Sequence, residues 1–178
     1  MKKIFLLFIL IYSINISAQK YVTKSGTIKF SSDAPFEKIE GVNNNVMSAI
    51  DVSKKIVVVK ILIKSFKFEK ALMEEHFNEN YMESDDFPNS TFKGKFIDTP
   101  NMNTSEIQKL RVDGVISIHG KKKDISTIID LKVEKNIVVV KGDFNIKLKD
   151  FAIDIPSAVT GKISDRLEVS FNFNLKAL

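Results

Sequence analysis

The residues best suited to chemistry lie in one segment, Glu74-Glu75-His76. A zinc-protease helix carries two histidines four residues apart with a glutamate beside the first. The second histidine of this chain, His119, lies far away at the end of a strand-like segment, where we expect it at the surface. The chain has no Gly-x-Ser-x-Gly sequence to expose a serine nucleophile and no cysteine. We therefore predict a non-catalytic protein without a metal or a resident cofactor. A hydrolase is the weaker hypothesis, and it requires a carboxylate and a nucleophile within reach of His76.

The same segment has the periodicity of an amphipathic helix. Met73, Phe77 and Tyr81 recur at intervals of four residues and form one apolar face. Three glutamates between residues 74 and 79 lie on the opposite side. The pattern predicts one short helix over about residues 69–82, which docks on the rest of the protein through its apolar face, either at its flank or over its mouth.

Most of the remaining chain alternates apolar and polar residues with a period of two, which is typical of strands with one buried face. Leu167, Val169, Phe171 and Phe173 of the last segment are the clearest example. Polar runs, including residues 42–45, predict turns, and residues 56–68 predict one strand. The pattern gives about eight strands, several of them ~30 Å long. Such strands form either a sandwich or a deep closed antiparallel barrel that can hold an elongated cavity.

Two kinds of residue on the predicted buried faces could shape a ligand cavity. Gly114 and Gly142 mark either a bend that closes the barrel or a close approach of a ligand to the backbone. The many phenylalanines form either a filled core or the wall of an apolar tunnel. The candidate ligand-binding residues inside the barrel are Phe30, Phe66, Phe68, Met73, Phe77, Tyr81, Phe92, Phe96, Gly114, Gly142, Phe144, Phe171 and Phe173.

The amino terminus has the order of a secretory signal peptide. Lys2 and Lys3 precede an apolar run over residues 4–14, and Ala18 supplies a small residue at the expected cleavage site. The run is too short to span a bilayer. We predict a signal peptide over residues 1–18 and a single domain over residues 19–178, periplasmic or secreted, without a transmembrane segment.

The charge pattern argues against a nucleic-acid partner. The formal net charge is +5, and the lysines are scattered along strand-like segments. Arginine is limited to Arg111 and Arg166, whereas nucleic-acid interfaces present clustered basic residues with interleaved aromatics. The pattern is typical of the solvated face of a sheet. The oligomeric state stays open, and a homodimer is compatible with the sequence.

Several segments resemble the YceI-like family. The similarity is carried by residues 75–84, which include the run Glu-His-Phe-Asn-Glu-Asn-Tyr, and by residues 91–94, 114–120 and 144–156. It covers residues 22–178, and the histidine-containing run is similar to a subgroup of Bacteroidetes sequences.

The resemblance implies an extended, lipocalin-like, eight-stranded antiparallel barrel with a short flanking helix. It also implies an exported protein that holds a polyisoprenoid or similar long apolar lipid, such as an isoprenoid quinone or its precursor, in the barrel. The chain departs from the family pattern at residues 34–43, where Gly41 is followed by Val42 and Asn43 and no histidine precedes it. The alternative function is a solid-cored periplasmic barrel that acts as a stress or assembly partner without a small-molecule ligand.

Overall fold

Eight antiparallel strands close into a barrel, each paired with its neighbours in sequence order, and β8 pairs with β1. The computed structural model describes residues 20–159 and 161–178. The predicted signal peptide lies outside the described residues. The all-β fold class, an eight-stranded antiparallel lipocalin-like barrel with one short helix, is confirmed.

One helix interrupts the strands, between β3 and β4. Helix α1 spans Ala71–His76 and continues as a π-helical turn over Phe77–Tyr81, in which the Met82 N–H donates to the Phe77 carbonyl at 2.9 Å. Together they lie within the predicted range of 69–82. The strands are β1 (Lys20–Asp33), β2 (Lys38–Asp51), β3 (Ile56–Leu62), β4 (Asn89–Phe96), β5 (Gln108–Ile118), β6 (Lys121–Glu134), β7 (Ile137–Lys147) and β8 (Arg166–Ala177).

The connections define two different ends of the barrel. The helix end carries α1, within the long connection of residues 63–88, and the connection of residues 148–165 between β7 and β8. The opposite end, the hairpin end, carries the β2–β3, β4–β5 and β6–β7 connections. At the hairpin end the β6–β8 side of the interior is filled by side chains, since Leu131, Val138 and Leu175 are 0 % exposed. Burial of such side chains is the main favourable contribution to folding.

Two of the sequence-based assignments near β2 and β3 are wrong. Residues 42–45 lie inside β2 rather than in a turn. Asn43 is fully buried there. Both ends of its side-chain amide have partners, since Nδ2 donates to the Leu62 carbonyl at 2.9 Å and Oδ1 accepts from the Asn45 N–H at 2.8 Å. Residues 56–68 do not form one strand, since β3 ends at Leu62 and the chain then turns through Ile63–Ser65.

The barrel wall has two long interruptions at the helix end. Residues 47–51 of β2 pair with residues 56–60 of β3, and the two strands then diverge. Residues 129–134 of β6 pair with residues 137–142 of β7, beyond which these strands also diverge. We call these interruptions the β2–β3 gap and the β6–β7 gap.

Candidate functional site

A cavity of about 520 Å³ occupies the barrel interior and reaches its helix end. All eight strands contribute to its wall, and the lining is mostly aliphatic and aromatic. Protein cores contain few voids larger than a water molecule, whereas ligand pockets typically measure ~300–1,000 Å³. The interior is therefore not the filled core that the solid-cored alternative requires.

The predicted interior residues separate into two groups. Every predicted aromatic residue and Met73 line the cavity: Phe30, Phe66, Phe68, Met73, Phe77, Tyr81, Phe92, Phe96, Phe144, Phe171 and Phe173. Gly114 and Gly142 do not line it, although both belong to the described part of the chain. They lie behind phenyl rings that do.

Both glycines lie where a side chain would have no space. A Cβ atom at Gly114 would lie 2.6 Å from the Gly94 Cα and 2.8 Å from the Phe92 ring. A Cβ atom at Gly142 would lie 2.7 Å from the Phe171 ring. Side chains do not tolerate such distances. The close approach is made by the Phe171 ring at Gly142, and by the backbone of β4 together with the Phe92 ring at Gly114.

Four phenylalanines, Phe30, Phe66, Phe68 and Phe77, form a compact aromatic cluster at the helix end. Phe77, the first residue of the π-helical turn, lies 5.5, 5.4 and 5.0 Å between ring centroids from Phe30, Phe66 and Phe68, respectively. Aromatic pairs at these separations stabilise beyond their buried area. Gly41 of β2 lies beneath the rings of Phe30 and Phe68, which leave no space for a Cβ atom. The cluster thereby fixes α1 across this end of the cavity.

The cavity lining becomes polar at its helix-end rim. Glu37, Lys70, His76 and Lys162 contribute there, and Lys70 Nζ lies 3.2 Å from Glu37 Oε1. His76 is exposed, and within the described residues no carboxylate is hydrogen-bonded to it. The arrangement required by the hydrolase hypothesis is therefore not assembled around His76. The rim instead offers cationic groups beside an apolar interior.

Tyr81, the last residue of the π-helical turn, also lines the cavity. Burial raises the pKa of the Tyr81 hydroxyl, because removal from water disfavours the charged phenolate. The group therefore stays protonated at physiological pH and can donate a hydrogen bond to a polar group of a ligand.

His119 is not the surface residue that its position in the sequence suggests. Its side chain is only 12 % exposed. Nε2 lies 2.8 Å from Glu83 Oε2, Nδ1 lies 3.1 Å from the Phe151 carbonyl oxygen, and Phe87 packs against the ring at 4.6 Å. His119 thus joins the β5–β6 turn to the segments that follow α1 and β7.

The candidate residues from the sequence include the aromatic residues of the cavity wall but not its aliphatic residues. Ile28, Val59, Ile116 and Ile129 also line the cavity. Their period-two alternation was visible in the sequence and could have identified them. Residues contributed by loops, such as Lys162, carried no comparable signal.

A closed eight-stranded barrel with an apolar cavity and a helix at one end is the architecture of small ligand-binding barrels. Comparison with protein families is more specific. The model of the YceI-like domain matches residues 18–175, and the chain belongs to this family. No functionally curated protein matches the chain at significance.

Similar solved structures extend this result at the level of the fold. A polyisoprenoid binding domain from Saccharophagus degradans, implicated in plant cell wall breakdown, superimposes with a TM-score of 0.79 at 13% identity, over 90% of this chain and 99% of that chain. BcnA from Burkholderia cenocepacia has a TM-score of 0.70 at 15% identity, over 84% and 95% of the two chains. The YCEI protein of Campylobacter jejuni has a TM-score of 0.60 at 20% identity, over 78% and 84%. In the described ranges, no helix has the length and apolarity needed to cross a membrane.

Proposed function

We propose that the protein binds a long apolar lipid of the polyisoprenoid type in the barrel cavity and does not catalyse its conversion. The observation that carries the proposal is the apolar cavity of about 520 Å³ to which all eight strands contribute. Each buried CH₂ group contributes ~0.8 kcal/mol, so a prenyl chain needs depth and apolarity more than hydrogen bonds. The similar domain from Saccharophagus degradans, described as polyisoprenoid binding, supports this ligand class.

The two ends of the barrel suggest the orientation of the ligand. The hairpin end is packed solid around Leu131 and Leu175, whereas Lys70, His76 and Lys162 lie at the helix-end rim. The apolar tail therefore lies inside, and a polar end, such as a quinone ring or a charged headgroup, lies at the rim. There it meets the ammonium groups of Lys70 and Lys162 and the hydroxyl of Tyr81.

We also infer that the protein acts outside the cytoplasm after removal of residues 1–18. The support is the order of a basic start, an apolar run and Ala18 in the sequence. Intact-mass analysis of the protein recovered from its native host is expected to give a chain that begins at Gln19. A mass that retains residues 1–18 would contradict the inference.

The ligand is tested by extraction and by titration. Lipids extracted from protein purified from its native host, analysed by mass spectrometry, are expected to include a prenyl chain in near-stoichiometric amount. Delipidated protein is then titrated with a fluorescent geranylgeranyl probe. An empty barrel together with no uptake of the probe would contradict the proposal.

A pair of neighbouring residues in β3 provides a matched control. Val59 lines the cavity, whereas Val58 on the opposite face is 37 % exposed. We expect Val59→Phe to fill part of the cavity and weaken probe binding at least ~10-fold, while Val58→Phe changes it by less than about 2-fold. Equal affinities of the two variants would place the probe outside the barrel.

A further inference from the structure

The wall of the cavity is incomplete on one side. β6 pairs with β5 over residues 121–131, and β7 pairs with β8 over residues 137–147. Between β6 and β7, however, the ladder stops at Ile129 and Gly142. In the described structure, residues 121–128 and 143–147 therefore present two facing edges without ladder hydrogen bonds. A surface groove lies over this β6–β7 gap.

The groove and the cavity share part of their lining. Six residues line both: Ile116, Ile125, Thr127, Phe144, Ile146 and Phe171. Side chains, rather than a hydrogen-bonded wall, thus separate the cavity from solvent at this place. Side-chain rotations are much faster than the opening of a ladder, so this is the part of the wall that opens most readily.

Few interactions hold the two edges together. Thr127 Oγ1 donates to the Asp143 carbonyl at 3.3 Å. At the helix end, Lys123 Nζ of β6 lies 2.6 Å from Asp150 Oδ2, in the turn that follows β7. Exposed ion pairs of this kind contribute little to stability. A third contact, between His119 Nδ1 of the β5–β6 turn and the Phe151 carbonyl oxygen at 3.1 Å, ties the two edges together at their helix end. Between that end and the ladder, the Thr127 hydrogen bond is the contact that spans the edges.

We infer that the β6–β7 gap is a lateral portal through which the apolar chain of the ligand passes into the cavity. The inference rests on the proposed function. The hairpin end is filled around Leu131 and Val138, and at the helix end α1 and the aromatic cluster lie across the cavity beside its polar rim. An axial route would also drag an apolar tail past the charged rim. A lateral route lets the tail move sideways into the cavity while the polar end stays in water.

An extended peptide is a less suitable occupant of the same edges. The unpaired edge of β6 begins Lys121-Lys122-Lys123-Asp124, and charged side chains on a strand edge oppose the addition of another strand. The residues that face inward at the gap, by contrast, continue the apolar lining of the cavity.

The test is to link the two edges and measure uptake. Continuing the register from Ile129 and Gly142 places Ser126 opposite Asn145, both with exposed side chains. Because the chain has no cysteine, Ser126→Cys with Asn145→Cys can be joined specifically by a short bismaleimide that contains a reducible disulfide. The matched control is Asp130→Cys with Lys141→Cys, which face each other in the intact part of the same ladder.

The rate of uptake of the geranylgeranyl probe from phosphatidylcholine vesicles is followed by stopped-flow fluorescence. We expect the link across the gap to slow uptake at least ~10-fold, equivalent to ~1.4 kcal/mol in the barrier. Reduction of the linker restores the rate, and the control link leaves it unchanged.

Three other outcomes would contradict the proposal of a lateral portal. If the link across the gap leaves the rate unchanged, the probe passes through the helix end and the proposed function stands. If both links slow uptake equally, stiffening of the barrel rather than closure of the gap is responsible. If the unlinked protein takes up no probe, the proposed function fails and the portal fails with it.

Discussion

The two gaps in the barrel wall lie four strands apart, on opposite sides of an eight-stranded barrel, yet only one is sealed. In the β2–β3 gap, Val42 and Lys67 exchange two backbone hydrogen bonds of 3.0 and 2.8 Å, and the aromatic cluster packs beside them. Asn43 also satisfies the Leu62 carbonyl at 2.9 Å. The Val42 backbone groups and the Leu62 carbonyl, which the divergence of the strands would leave unpaired, therefore find partners within the protein.

The β6–β7 gap is held only by side chains. Its interactions are the Thr127 hydrogen bond to the Asp143 carbonyl, the ion pair of Lys123 with Asp150 and, at the helix end, the contact of His119 Nδ1 with the Phe151 carbonyl. The difference follows from the connections. Residues 63–88 between β3 and β4 bring Lys67 to β2 across the β2–β3 gap. The connections beside the β6–β7 gap are the tight turn His119-Gly120 and residues 148–165, and in the described residues neither makes a backbone hydrogen bond to the facing edges. One gap is thus part of the rigid scaffold, and the other is the part of the wall that can move.

Amide hydrogen exchange tests the contrast most directly. We expect alternate amides of residues 121–128, those that point toward β7, to exchange rapidly, while the amides of Val42 and Lys67 are strongly protected. Local opening energies range from near zero to the global stability of about 5–15 kcal/mol, so the difference spans orders of magnitude in rate. The measurement is exchange followed by two-dimensional NMR, and uniform protection along residues 121–128 would contradict an open gap.

The second test is to truncate one phenylalanine beside each gap, Phe77 near the β2–β3 gap and Phe144 at the β6–β7 gap. Phe77 contacts three other rings, whereas Phe144 has one aromatic neighbour, Phe171, at 6.3 Å. Phe77→Ala is expected to lower the free energy of unfolding by about 3 kcal/mol, near the lower limit for buried phenylalanine. Phe144→Ala should lower it by less than half as much. Urea denaturation measures both, and equal losses would show that the two sides are equally well packed.

The third test concerns the polar anchor of the sealed gap. Asn43→Ala leaves the Leu62 carbonyl and the Asn45 N–H without their partners, and we expect a loss of about 1–3 kcal/mol. Asn45→Ala is the matched control, since this side chain is exposed and its removal should change stability by less than about 0.5 kcal/mol. Thermal unfolding of the two variants gives the comparison, and an Asn43→Ala protein as stable as the control would mean that water replaces the anchor.

The strands and the helix could be predicted because their signals are local. Side-chain alternation depends only on which face of a strand is buried, and the spacing of Met73, Phe77 and Tyr81 identified a helix face that lines the cavity. The same alternation placed the phenylalanines inside. Whether they fill the barrel or surround a cavity depends on distances across it, and the sequence does not contain these.

The two gaps could not be predicted because strand pairing is a long-range property. Three consecutive asparagines over residues 43–45 have the composition of a turn, but Asn43 is buried by a partner 19 residues away in sequence. His119 looks exposed at a strand end until Glu83 and Phe151 are brought to it by other connections. In both cases a polar side chain is held by a backbone carbonyl that is distant in sequence, the Leu62 carbonyl for Asn43 and the Phe151 carbonyl for His119. The residues around each side chain do not reveal that partner.

The smallest expected effect belongs to the ion pair that spans the β6–β7 gap. The hydrogen bond from Lys123 holds the pKa of the Asp150 carboxyl below its usual 3.8. Because the pKa is lower in the folded than in the unfolded chain, the contribution to stability is present above the unfolded value and is lost as the pH falls through the folded value. Asp150→Asn should therefore lower Tm slightly at neutral pH, and the difference from the parent protein should shrink below pH 3.8.

Asp154→Asn serves as the control for this pH dependence, because Asp154 is an exposed carboxylate in the same connection. Added salt should also reduce the effect of Asp150→Asn, since it screens exposed charges. A difference in Tm that persists in acid would mean that Asp150 acts through packing rather than charge.

The same variant also tests whether the ion pair restrains the moving edge. If it does, Asp150→Asn should accelerate uptake of the prenyl probe and leave its equilibrium affinity unchanged, because Asp150 lies outside the cavity lining. A weak interaction at a portal is thus expected to affect the rate of passage more than the stability of the barrel.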